Sequence, residues 1–467
     1  MTSMTKTVSG SKTPGFLQQI NWAFDPVSYL ETNHQKYPDL FFTQAASGNY
    51  PIVYISHPQG IQQILTNDKK LFLASSETND IFRPLLGDYS LILLEKEPHQ
   101  QRRQLLAPPF HGERLYSYGQ SICRITQEVM NRLGVGNQFT ARKITQSITM
   151  QVILEVVFGI YEGERYQQLK TLLGKMLDIF NSPVSSAFLL FSALQINLGS
   201  WSPWGQFLRQ RAKIDELIYQ EIAERRANFD PNATDILSLL MSVRYEDGQP
   251  MTDKELRDEL MTLLVAGHDT TATAMAWGLY WIHHLPEVKE KLLQELATLG
   301  NNPDPMEMVR LPYLSAVCNE TLRITPVAML TFPRIAQEPV EVMGYTIEPG
   351  TAVLGCMFLT HQREDLYPNP KQFKPERFLE NKYSPYEFIP FGGGARRCVG
   401  DALAPFELKL VLGTIMSNYE LSLADNRPEK LQRRGLTLGP ARGVKMIFNG
   451  KRQQKSVMSQ ESLVSSH

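Results

Sequence analysis

What the chain lacks narrows it first. Its four cysteines, Cys123, Cys318, Cys356 and Cys398, lie far apart and form no Cys-x-x-Cys pair. That excludes a zinc knuckle and a disulfide framework, and fits a reducing compartment. Neither sign of charge is in excess: 47 Lys+Arg against 48 Asp+Glu leave a net −1, without the basic surplus of a nucleic-acid binder. No run reaches the ~18 uninterrupted apolar residues of a membrane span. The longest candidates, 187–198 and 410–416, are interrupted by Ser and Gln or short enough for a buried helix. The opening MTSMTKTVSGSKTPGF is polar and has no signal-peptide core. A cytoplasmic protein without a transmembrane anchor is expected, with a peripheral membrane contact through 184–204 left open.

Linkers and internal repeats are also missing, so the body reads as one unit. A flexible segment 1–14, a single large domain 15–450 and a disordered tail 451–467 are expected. Hydrophobic residues make up 42% of the chain, enough for a large core. Strand signals are sparse: PIVYIS at 51–56, and VEVMGYTIEPGTAVL at 340–354, which alternates around Gly344 and a Pro349-Gly350 turn. A sheet built from both ties the chain's two ends together. Helical patterns fill the interval, so the fold class is mainly α with a small β region. The longest helix starts at a Thr252/Glu255 capping box and runs, largely apolar, to Pro286. A helix of that length crosses the middle of a large domain.

The middle of that helix carries AGHDTT, 266–271. Gly, Asp and Thr are poor helix formers, and the Thr270 hydroxyl can turn back to the Ala266 carbonyl and weaken the ladder. Such a stretch reads as a kink, or as a helix opened around water. Burying Asp269 without a partner is costly, and an acid beside an alcohol suits proton delivery. In NETLR, Glu320 and Arg323 share a helix face, and Arg377 of PERF, about fifty residues on, is placed to complete a buried structural network. The remaining signal is FGGGARRCVGDALAPFE, 391–407. No Gly-Lys-Ser/Thr follows its glycines, so a phosphate loop is excluded, and no local histidine signature supports a protease-type thiol. A cysteine just before a helix can hold a thiolate near the helix N-terminus and free N–H groups, and glycines let a flat ligand approach the backbone.

FGGGARRCVG resembles the haem-binding signature of the cytochrome P450 family, Phe-x-x-Gly-x-Arg-x-Cys-x-Gly, at every fixed position. AGHDTT is similar to the family's oxygen-activation motif, ETLR and PERF to its two structural motifs, and EPHQQRRQLLAPPF (97–110) to its third helix. The resemblance spans nearly the whole chain and implies the cytochrome P450 fold, with haem b (iron protoporphyrin IX) as cofactor. It implies Cys398 as axial iron ligand, Phe391 beside the sulfur and Gly400 admitting the next helix. His99, where many relatives carry Trp, Arg103, Arg334 and Arg396 are then propionate contacts. Asp269 and Thr270 are the catalytic acid and alcohol; Glu320, Arg323 and Arg377 are structural. Arg102 and Arg397 are expected at the surface, and His268 as a packing or solvent-facing residue.

The implied activity is a monooxygenase that inserts one oxygen atom from O2 into a small apolar substrate, using NAD(P)H. No flavin or iron–sulfur segment follows the cysteine helix, so a ferredoxin with its reductase is the expected donor. Arg102, Arg396 and Arg397 would add positive charge to its docking face. Val265, Ala266, Ala328 and Leu330 are expected over the haem, with pocket walls from 77–94, 176–194 and 326–330. Their apolar character and a likeness to cyanobacterial members suggest a long-chain fatty acid, alkane or terpenoid. Arg83 reads as a surface residue. A haem-thiolate peroxygenase or isomerase, needing no redox partner, is the alternative; the Asp269–Thr270 pair favours the monooxygenase.

Overall fold

Thr252 caps the central helix as its sequence demands. Its Oγ1 accepts the Glu255 N–H at 3.3 Å, and Glu255 Oε2 accepts the Thr252 N–H at 2.7 Å. The helix then runs unbroken over Asp253–His284, 32 residues, and Pro286 opens the next one, Pro286–Ala297. At 1.5 Å per residue it is roughly 48 Å long. The computed structural model describes residues 6–453, apart from 45–49, 75–76, 111, 113, 181–194, 301–302 and 435–436. Among these, no helix is long and apolar enough to cross a membrane.

From Thr271 to Tyr280 every residue of the central helix is buried. Two neighbours cover it: the helix Ala141–Val152, which passes into a π-helical turn at Ile153–Val157, and the helix Leu403–Asn418 that follows the cysteine. Gly278 permits the second crossing, since a Cβ there would lie 2.6 Å from a Leu412 methyl. Leu260, Leu264, Met275, Trp277, Leu410, Val411 and Ile415 are among the side chains of the resulting core.

The main sheet has five strands, in the order Leu40–Thr43, Ile52–Ile55, Ala352–Gly355, Arg334–Ala336, Phe72–Leu73. Ile52–Ile55 lies parallel to Ala352–Gly355 in direct register, so the expected union of both ends of the chain is present. Val340–Val342 and Tyr345–Ile347 form the expected hairpin. A second antiparallel sheet, Tyr419–Leu423, Lys445–Lys451 and Gln138–Thr140, and a hairpin of Leu431–Arg434 with Thr437–Pro440 had no sequence forecast. The N-terminal segment makes contacts before residue 15: Lys6–Thr7 pairs with Tyr345–Thr346, and Gly10 bridges Phe42. At the other end Lys451 belongs to a strand, while 454–467 fall outside the described residues.

The Glu–Arg–Arg network forms. Glu320 and Arg323, both 0% exposed, pair through two bonds of 2.7 and 2.8 Å, and Arg377 Nε reaches Glu320 Oε1 at 3.1 Å. The remaining Arg323 donors meet the carbonyls of His361 and Pro370, and its guanidinium lies 5.0 Å from the Tyr367 ring centre. Two cations and one acid, all desolvated, hold the 361–377 segment against the helix Pro312–Ile324. Removing one partner of a buried charge group leaves the others uncompensated, at about 3–5 kcal/mol. Glu320→Ala is expected to lose that much stability in urea unfolding; a loss below 1 kcal/mol would contradict the network's role.

Candidate functional site

The cysteine loop is shaped by its glycines. Gly392 and Gly394 sit at φ 63° and 65°, in the left-handed region that disfavours side chains, and a Cβ on Gly394 would run into the Asp68 carboxylate. Asp68 holds the loop by accepting the Ala395 N–H at 2.6 Å. Within it, the Cys398 N–H donates to the Phe391 carbonyl at 3.0 Å, and Phe391 is half-buried against the main core. Cys318 and Cys356 are buried, with thiols pushed up to about 12 by desolvation, whereas Cys398 is exposed. Surrounding protein still raises the Cys398 thiol above its ordinary pKa; the Gly400 N–H, Arg103 and Arg397 pull the other way. The helix begins only at Leu403, so the backbone N–H acting on the sulfur is that of Gly400, not the first helical turn that the sequence suggested.

Beside the loop, three arginines converge on a histidine. His99, 6% exposed, and Arg103 are carried by the helix Lys96–Leu106, Arg334 by its strand and Arg396 by the loop. Burial, then Arg396, Arg103, Arg334 and Lys69, drive the His99 pKa down to about 3. Burial also lowers Arg396, to about 10, against the partial compensation of Glu95 and Asp68. Arg334, 1% exposed, spends donors on Phe332 O, Gly393 O and Asp68, and its Nε is buried without a partner. Arg396 bonds the carbonyls of Leu91, Leu94 and Ala74, and Arg103 Nη1 bonds the Arg397 carbonyl at 2.5 Å. This is a cationic cradle short of acids.

Arg102 corrects the sequence reading. It is 3% exposed rather than a surface residue, because the opposite face of its helix meets the start of the central helix. There it pairs with Glu255 at 2.5 Å and Glu259 at 2.8 Å and donates to Tyr245. Of the three arginines expected on a docking face, Arg102 and Arg396 are therefore buried and Arg397 alone is exposed, beside Asp401. Arg83 is at the surface as expected, paired with Asp80 and Asp88.

On the central helix Ala266 is exposed although the helix is otherwise largely buried, and Val265 and Thr270 are half-buried beside it. Ala328 and Leu330 are likewise half-buried. Thr270 Oγ1 donates to the Ala266 carbonyl at 2.5 Å, the back-bond that its position predicts. The ladder nevertheless survives it: the helix is continuous through 266–271, not opened. Asp269 accepts from Arg142 at 2.5 Å and from Gln146 at 2.9 Å. His268 packs inward, its Nδ1 2.8 Å from Thr149 Oγ1. Most of the expected 176–194 wall lies outside the described residues.

Comparison with known proteins agrees with this geometry. The cytochrome P450 family profile matches residues 14–447. The chain belongs to the cytochrome P450 family. It is similar to cytochrome P450 135B1 of Mycobacterium tuberculosis, 33% identical over 95% of this chain and 91% of that protein. It also resembles cytochrome P450 137 of the same organism, 34% identical over 79% of this chain and 74% of that one. Among solved structures, the retinoic acid-bound cyanobacterial CYP120A1 shares the fold with a TM-score of 0.81 at 23% identity, covering 96% of this chain and all of that one. The haem domain of cytochrome P450DA follows at 0.80 and 20%, covering 96% and 97%.

Membership makes the chain a P450 monooxygenase, an oxidoreductase with haem b held through a cysteine thiolate. The residues present fit that group. Cys398 is the one cysteine residue that is exposed, and the cations around His99, with the unpartnered Arg334 Nε, suit a ligand that brings its own carboxylates. Sequence reading missed Asp68, Arg142 and Gln146. The last two carried a detectable signal, since Arg142, Thr145, Gln146 and Thr149 follow helical spacing on one face.

A pH effect follows from the cradle. The unfolded chain protonates His99 near 6.5, the folded one only near 3, so stability is held above pH 6.5 and lost as pH falls toward 3. His268, His283 and His361 act in the same sense. His99→Gln is expected to flatten the stability slope between pH 4.5 and 6.5 by up to one proton, about 1.4 kcal/mol per pH unit, measured by denaturant unfolding in acidic buffers. An unchanged slope would contradict the depressed His99.

Proposed function

We propose that this P450 inserts one oxygen atom from O2 into a long-chain fatty acid, alkane or terpenoid, with electrons from NAD(P)H reaching it through a ferredoxin and its reductase. The observation that carries the reading is the exposed Ala266 in the middle of a largely buried helix, one turn before the Asp269–Thr270 pair. Accessible surface at that depth, next to an acid and an alcohol, is what a reaction using both an apolar substrate and protons requires.

Cys398 would hold the haem iron, with Phe391 packed by the sulfur and the Gly400 N–H moderating its charge. Arg103, Arg334 and Arg396 would neutralise the two carboxylates of the ring, and His99, held neutral, would donate a hydrogen bond to them. Bound there, haem supplies an iron that activates O2, and thiolate donation favours O–O cleavage. Val265, Ala266, Ala328 and Leu330 exclude water and receive the apolar substrate. Thr270 and Asp269 move protons inward, the hydroxyl by giving up its bond to the Ala266 carbonyl. Exposed Arg397, near Cys398 in the loop, suits a transient acidic partner steered by charge. The balanced cysteine and charge content supports a cytoplasmic location.

Reduced protein under carbon monoxide should show the red-shifted Soret band of a thiolate ligand, and Cys398→Ser should lose it. A band without that shift in well-folded wild type would overturn the assignment. Thr270→Ala should keep haem and substrate binding while diverting reducing equivalents to peroxide, with product formed per NAD(P)H falling about tenfold or more, within the range of general acid–base contributions. An unchanged ratio would count against the relay.

A further inference from the structure

The helix Ala141–Val152 lies along the central helix and turns four polar side chains toward it, Arg142, Thr145, Gln146 and Thr149. Each meets a position of the 268–273 stretch. Thr149 faces His268, Gln146 and Arg142 both donate to Asp269 Oδ1, Thr145 donates to the Ala272 carbonyl at 2.8 Å, and Arg142 Nε lies 3.5 Å from Thr273 Oγ1. Two helices that needed only to pack would present apolar surfaces here, because a buried guanidinium or amide costs free energy unless it is bonded. Arg142 is 8% exposed at its side chain, and Asp269 22%.

The arrangement at Asp269 is asymmetric. Both donors converge on Oδ1, and among the described residues nothing donates to Oδ2. Other charged or titratable groups near the acid are Arg434, from the hairpin of Leu431–Arg434 with Thr437–Pro440, and His268, kept neutral by burial. Thr270, the next residue, is occupied with the Ala266 carbonyl.

We propose that Arg142 and Gln146 are positioning residues for the proton relay. By engaging Oδ1 they fix the Asp269 carboxylate and leave Oδ2 as the one atom that exchanges protons. A proton from solvent water binds Oδ2 and leaves it through the Thr270 hydroxyl, which passes its own proton inward; the carboxylate is restored and one proton has moved per pass. This rests on the relay assigned to Asp269 and Thr270 above, and Asp269→Asn separates the two.

The test compares Arg142→Gln, Arg142→Lys, Gln146→Leu and Asp269→Asn in the haem-loaded protein. In the resting state, the infrared carboxylate band that disappears in Asp269→Asn should shift in Arg142→Gln and in Gln146→Leu, since it reports the bonds to that carboxylate. During NAD(P)H-driven turnover, Arg142→Gln should lower the rate of product formation about tenfold, the scale of one charge-assisted hydrogen bond. The substrate concentration that half-saturates the spectral shift should stay unchanged and the solvent deuterium isotope effect should rise. Arg142→Lys, which restores a cation, should recover most of the rate. If Arg142→Gln does not fold, Gln146→Leu carries the same infrared and isotope readouts with a smaller change. Asp269→Asn altering turnover while neither Arg142→Gln nor Gln146→Leu moves the band or the isotope effect would overturn the positioning role alone. Asp269→Asn leaving turnover and isotope effect at wild-type values would overturn the relay, and the positioning role with it.

Discussion

Burying Arg334 and Arg396 beside His99 concentrates positive charge that Asp68 and Glu95 offset only in part, and that charge helps keep the imidazole neutral. Much of the molecule's arrangement follows from how that charge is accommodated. Arg396 draws the carbonyls of Leu91 and Leu94 toward the cysteine loop, and Arg334 ties its strand to Gly393 of the same loop. Asp68 bonds both Arg334 and the loop amide of Ala395. Sheet, loop and the helix Lys96–Leu106 are thereby fixed around one point, and that point is selective for an anion. A fold that relied on apolar packing alone would have no reason to gather these groups.

The central helix shows the complementary compromise. Its stretch from Thr271 to Tyr280 is buried without interruption and packs against Leu403–Asn418. Its middle instead carries Gly267, Asp269, Thr270 and Thr271, residues of low helix propensity, yet remains regular. Part of the reason lies in its neighbour: Arg142 and Gln146 engage the Asp269 carboxylate and Thr149 the His268 ring, so these side chains do not turn back on the helical ladder. The expected opening around water failed in part for that reason, since some of the intrinsic weakness is offset from outside the helix.

How much was legible in the sequence depended on whether a signal was local. The capping box of Thr252 and Glu255, the Thr270 back-bond and the Glu320–Arg323 pair act within a few residues, and each is present as read. Arg102 was misread because spacing on one helix does not say what lies across from each face; its partners Glu255 and Glu259 are more than 150 residues away. The strands at 419–423 and 445–451 escaped for a related reason. Short, half-polar segments such as YELSL and KMIFNGK gain their order from pairing with each other and with Gln138–Thr140, not from their own pattern.

The parallel ladder between Ile52–Ile55 and Ala352–Gly355 joins residues 300 positions apart. On a ribosome adding about 5–20 residues per second, the earlier strand waits roughly 15–60 s before its partner is made. Through that interval Ile52–Ile55 has only Leu40–Thr43 of its final neighbours to pair with, and its other edge, IVYI, offers an apolar open edge to any other strand it meets. The main sheet that supports Arg334 is thus completed late in synthesis, and the time the nascent chain spends with that edge uncovered is set by the length of the helical body inserted between its two halves.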